Sequence, residues 1–108
     1  MTQPKNLSEF FATSVLWGIM CHTKEQAENL GRAFNAMGRW WASGKSYITG
    51  PCSAAARWDQ YGTSTVFLNN GLYGSAGATD ANIIQYAHFR DEIEATGSPF
   101  VFVFKEEG

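Results

Sequence analysis

The sequence predicts an α+β domain of ferredoxin-like pattern, β-α-β-β-α-β, with two helices on one face of an antiparallel sheet. Three observations carry that expectation. The stretch from Thr23 to Ser43 repeats apolar residues at helical spacing. Several runs of β-branched and aromatic residues read as strands, and a second amphipathic stretch precedes the last of them.

In chain order, Asn6-Leu7-Ser8-Glu9 has the pattern of a cap for a short helix through Phe11 or Ala12. Ser14 to Cys21, with Val15, Leu16, Trp17, Ile19 and Met20, reads as a buried strand. A single helix from Leu7 to Met20 competes, because Leu7, Phe11, Val15 and Ile19 are spaced by four. In that alternative, segment 7–20 is helical and three helices cover a small antiparallel sheet. Ala27, Leu30, Phe34, Met37 and Trp41 then form one stripe of a helix predicted over Lys24–Ala42. Thr23 is its expected cap, with Gln26 reaching back to the Thr23 amide, and Gly44 its expected stop.

Lys45–Thr49 is a short strand candidate closed by Gly50-Pro51, and Cys52–Trp58 is ambiguous between helix and turn. Thr63–Leu68 is the clearest strand, followed by a glycine-rich loop over 71–78. Asp80 is expected to cap a second helix with Ile83, Ile84, Tyr86, Ala87, Phe89 and Ile93 on its apolar face. Phe100–Phe104 alternates Phe and Val and reads as the final strand, central in the sheet beside the first.

With 108 residues, the expectation is a single compact domain spanning 1–108. Phe, Trp and Tyr make up 15% of the chain, which excludes a disordered composition. The pI near 5.6 gives no global argument for nucleic-acid binding. Charge is nevertheless uneven. Residues 24–58 are net positive through Lys24, Arg32, Arg39, Lys45 and Arg57, whereas 59–108 are net negative. Cys21 and Cys52 make no disulfide framework, and the apolar run from Phe10 to Cys21 is too short for a bilayer span. A cytoplasmic chain with no membrane association is expected.

No Ser-His-Asp order, paired catalytic carboxylates, phosphate-binding loop or cofactor fingerprint stands in the sequence. Catalytic residues, a cofactor and a metal site are therefore not expected. Cys21, His22, Cys52 and His88 lack the close pairs of a metal set. What stands out is a mixture of cations and aromatics: Arg39, Trp40, Arg57, Trp58 and Tyr61, joined by Leu72 and Tyr73 of the glycine-rich loop. Tryptophan, tyrosine and arginine dominate protein-interface hot spots. The expected function is a non-enzymatic protein-binding module, in the manner of phage inhibitors of host nucleic-acid-handling (anti-CRISPR-like) complexes, with a homodimer also allowed. Two alternatives stay open. One is a small-ligand-binding or enzymatic domain with a pocket between the sheet and loop 71–79 holding His88 or Tyr73. The other is single-stranded nucleic-acid binding through the basic-aromatic patch, which the acidic C-terminal half disfavours.

Overall fold

Among the described residues, four short strands make one mixed sheet in the order β3-β2-β1-β4, comprising β1 (Trp17–Met20), β2 (Thr65–Leu68), β3 (Tyr73–Ser75) and β4 (Asn82–Gln85). Helices α1 (Leu7–Ala12), α2 (Lys24–Ala36), α3 (Ala54–Tyr61) and α4 (Arg90–Gly97) complete the elements of this computed structural model, which describes residues 3–97. The domain is α+β. Its described strands depart from the ferredoxin-like order: β1 lies between β2 and β4, antiparallel to the first and parallel to the second. The expected strand Phe100–Phe104 lies outside the described residues.

The alternation of side chains along the strands sorts the core into two. Trp17, Ile19, Phe67 and Ile84 join Leu7 and Phe10 of α1, Ala27, Leu30 and Phe34 of α2, Ala54 of α3 and Ile93 of α4. Val66 and Leu68 point the other way, where Ala81, Ala76, Leu16 and Met20 cover them. Residues 76–81 therefore run across the second face from β3 to β4. Gly18 belongs to that face: a Cβ there would lie 2.2 Å from Val66 Cγ1 and 2.7 Å from Leu68 Cδ2.

The N-terminal segment resolves the competition between helix and strand by being both. Asn6 Oδ1 accepts from Glu9 N at 2.8 Å and starts α1, which ends at Thr13, before β1 begins at Trp17. Thr23 caps α2 as expected, accepting from Gln26 N at 3.1 Å. The Gln26 side chain, however, reaches the His22 amide rather than that of Thr23.

Helix α2 stops six residues short of the expected Ala42. Gly38, at φ +76°, takes the left-handed position, with Gly38 N donating to Asn35 O and Arg39 N to Phe34 O. This pair of bonds is a Schellman cap. Trp41 is buried as expected, but from an irregular loop rather than from the helix. Lys45–Thr49 forms no strand. Its backbone bonds instead go to the loop and to α3, Trp41 N to Lys45 O and Ala54 N to Tyr47 O. Ser53 resolves the ambiguous stretch in favour of helix by accepting from Ala56 N at the start of α3.

Two further corrections concern the second half. The glycine-rich loop contains β3, which makes a hairpin with β2 through Asn69–Leu72. Asp80 caps nothing: residues 82–85 form β4, only Ile84 of which is buried, and the helix begins later, at Arg90. Ile83 and Ile84 are β-branched neighbours, and they suit a strand edge better than a helix start.

Candidate functional site

The candidate surface starts where α2 ends. The Schellman cap at Gly38 turns the chain sharply, so that Arg39 and Trp40 project while Trp41 dives into the core. Arg39 places its guanidinium 4.3 Å from the centre of the Phe11 ring, a cation–π contact that holds its direction. Trp40 is 57% exposed. Together, Arg39 and Trp40 line two adjoining clefts. One, of about 520 Å³, runs along Gly38–Gly44. The other, of about 180 Å³, is closed by Phe11, Tyr47 and the Asn69–Gly71 turn.

That turn brings the second stretch alongside the first. Ala42 N donates to Gly71 O at 2.9 Å, and Gly71 has φ +84°. Leu72, next in the chain, is 51% exposed. Tyr73 then packs its ring 5.6 Å from that of Trp41 and 6.0 Å from that of Tyr61. The Arg57 guanidinium lies 4.9 Å from the Tyr73 ring centre, and the Tyr73 hydroxyl donates to Gln60 Oε1 at 2.8 Å. Tyr73 is thus the hub joining the Trp40 loop to α3, with Tyr61 46% exposed at its far side.

Six of the seven residues expected from the sequence meet in this way: Arg39, Trp40, Arg57, Tyr61, Leu72 and Tyr73. Trp58 does not join them. It packs against the core, and its indole N–H donates to Cys21 O at 3.1 Å, tying α3 to the end of β1.

The electrostatics are one-sided. Among the described residues, the one ion pair is Lys24 with Asp59, at 3.0 Å. Arg39 and Arg57 therefore stand against rings with no carboxylate paired to them from the described residues, among which the buried Arg57 Nε also finds no acceptor. Its Nη2 approaches Cys52 Sγ at 3.5 Å. Tyr47, beneath the Trp40 loop, has its phenol pushed up to about 12 by burial, with the Arg39 charge opposing.

The residues considered for other chemistry disperse. Cys21 is fully buried, and burial pushes its thiol far above the ordinary value. His22 is exposed and bonds the Gln85 side chain. His88 pairs with Pro4 O at 3.3 Å, a contact to the N-terminal segment. Among the described residues, no three His, Cys, Asp or Glu side chains converge on a metal position. No described helix is long and apolar enough to cross a membrane.

Sequence reasoning missed one residue that shapes the site. Asn69 Nδ2 donates to Phe10 O at 2.8 Å and Val15 O at 2.9 Å, while its Oδ1 accepts from Trp17 N at 3.3 Å. One amide thereby clamps the α1–β1 connection to the turn that carries Gly71 and Leu72. The Asn-Asn-Gly signature signals a turn, but not which of its side chains faces inward. No protein-family model, curated protein or solved structure matches this chain.

Proposed function

We propose that this chain is a non-enzymatic protein-binding module whose partner seats on the surface formed by Arg39, Trp40, Arg57, Tyr61, Leu72 and Tyr73. The observation that carries the reading is the exposure of Trp40, Leu72 and Tyr61 around two arginines that rings hold in place and that no carboxylate of the described residues pairs with. Exposed large apolar groups beside rigid cations are what interface anchors are made of. Preordering also lowers the entropic cost of docking, since the rings already restrict both guanidinium groups. The finer reading is an inhibitor of the phage type acting on a host nucleic-acid-handling complex. It rests on small size, aromatic surplus and the lack of a catalytic motif, and is an argument by analogy.

Affinity capture from host lysate tests the module reading, with wild type compared against Trp40→Ala, Trp58→Ala and Glu94→Lys. A stoichiometric partner should be retained by wild type and by Glu94→Lys. Trp40→Ala should lose about 2 kcal/mol or more of binding, roughly thirtyfold, as an interface anchor does. Trp58→Ala should act through stability, because its contacts are internal. Absence of any stoichiometric partner, or Glu94→Lys abolishing capture while Trp40→Ala does not, refutes the assignment.

A further inference from the structure

Among the described residues, the hairpin that carries Leu72 and Tyr73 ends the sheet, and no strand pairs with its outer edge. In an antiparallel pair, directly opposed residues alternate between exchanging main-chain bonds and turning those groups outward. Leu68 N donates to Leu72 O at 2.9 Å, and Ala76 N donates to Ser64 O at 2.8 Å. The register pairs Val66 with Gly74, so Leu72, Gly74 and Ala76 are the positions bonded to β2. Tyr73 and Ser75 fall between them and direct their main-chain groups away from the sheet. Ser75 O is taken by Ala78 N at 2.9 Å. Three groups are left: Tyr73 N–H, Tyr73 C=O and Ser75 N–H, none of which has a partner among the described residues.

Resting on the surface assignment above, we propose that β3 receives an extended segment of the partner as an added strand, and that this segment carries a carboxylate opposite Arg57. Strand addition takes its affinity from main-chain bonds and its specificity from alternate side chains. One residue of the incoming segment exchanges both bonds with Tyr73, and another accepts from Ser75 N–H. The Arg57 guanidinium lies across the Tyr73 ring of that strand and, among the described residues, makes no ion pair. A carboxylate brought there is charge-complementary and completes a charge-assisted bond. Leu72, the neighbour of Tyr73 in the chain, and Tyr61, whose ring lies 6.0 Å from that of Tyr73, are both exposed and give the segment apolar contacts. A second copy of this chain is the poorer occupant, because symmetric pairing of β3 with itself would bring two Arg57 cations together.

The test is selection of random linear peptides against the immobilised full chain, followed by binding measurements on variants. Ser75→Pro removes one outward donor and no bond to β2, which is where an edge strand tolerates proline. Selected peptides should be enriched in Asp or Glu with alternating β-branched residues. They should bind Ser75→Pro and Arg57→Gln at least tenfold more weakly. Hydrogen exchange gives an independent readout, in which the Tyr73 and Ser75 amides exchange quickly in the free protein and become protected with peptide bound. Gly74, bonded to β2, should be slow in both states. Three outcomes overturn the proposal: no peptide selected, peptides that bind Ser75→Pro as well as wild type, or a single-stranded oligonucleotide competing them off at lower concentration. Peptides indifferent to Ser75→Pro but lost on Trp40→Ala reject strand addition and leave the surface assignment standing. Peptides indifferent to both variants reject the two together.

Discussion

Replacing Asn69 tests how the hairpin is held to the rest of the domain. Its carboxamide makes three bonds: two donated to Phe10 O and Val15 O, and one accepted from Trp17 N. The partners dictate the orientation of the amide, since two carbonyls require the nitrogen and one N–H requires the oxygen. Phe10 O also belongs to the last turn of α1, where carbonyls lack intrahelical partners. At about 0.5–1.5 kcal/mol for each net bond, Asn69→Ala should cost about 2–4 kcal/mol, because the three backbone groups are only partly reachable by water. Asn69→Asp should cost more at neutral pH. It keeps the acceptor for Trp17 N but sets a carboxylate against two carbonyl oxygens. Urea unfolding followed by tryptophan fluorescence measures both, and the slope against denaturant should stay constant. A loss below about 0.5 kcal/mol for Asn69→Ala, or Asn69→Asp no worse than Asn69→Ala, would refute the clamp.

Two other perturbations probe the scaffold. Gly18→Ala should destabilise by about 1–3 kcal/mol in the same urea assay, because its methyl group meets Val66 Cγ1 and Leu68 Cδ2 inside contact distance and Val66 is stiff at χ1. An unchanged midpoint would mean that the second sheet face repacks freely. Tyr47 and Tyr86 have phenols raised to about 12 by burial; at Tyr86 the bond to Glu94 adds to the rise, and the bond from Asn29 opposes it. The neutral phenol is thus favoured in the fold. The stability it contributes is complete below the ordinary tyrosine value of about 10 and is lost as pH rises from there through about 12. Phenolate absorbance and chemical unfolding above pH ~10 should show stability falling in that window, and a flat profile would contradict the burial of both rings.

How much of this was legible in the sequence follows from how local each signal is. The Asn6 and Thr23 caps, the β2 run and the Ala27-Leu30-Phe34 stripe are written within a few neighbours, and the structure contains all four. The length of α2 misled because Met37 and Trp41 continue the helical spacing past the point where the backbone turns. Gly38 decides that end, and in the sequence it is one glycine among 11. The strand at 82–85 was hidden for a related reason. Ile83, Ile84 and Tyr86 fit a helical stripe, and only pairing with β1, some 65 residues earlier in the chain, makes them a strand. The candidate surface residues were picked by composition, tryptophan and tyrosine interleaved with arginine, a signal that carries no information on exposure. Trp58 shares that composition but is partly buried against the core, and the carbonyl its indole bonds, Cys21 O, is too distant in sequence for the pattern to reveal it.

Gly71 is where scaffold and surface meet, and substituting it separates their contributions. It sits at φ +84°, and a Cβ there would lie 2.7 Å from Ala42 N, a backbone atom that cannot rotate away. Gly71→Ala therefore carries both a left-handed penalty of about 1–2 kcal/mol and a steric push on the Trp40 loop. The push falls on the residue that donates the Ala42 N to Gly71 O bond, the link between the Trp40 loop and the turn that carries Leu72. Asn69→Ala lowers stability by releasing the α1–β1 connection and leaves the Ala42–Gly71 bond in place. If the two stretches bind as one surface, Gly71→Ala should weaken capture of the partner more than Asn69→Ala does under conditions where both variants are fully folded. Equal weakening at equal stability would mean that binding follows the integrity of the fold, with no special role for the join between the Trp40 loop and the hairpin.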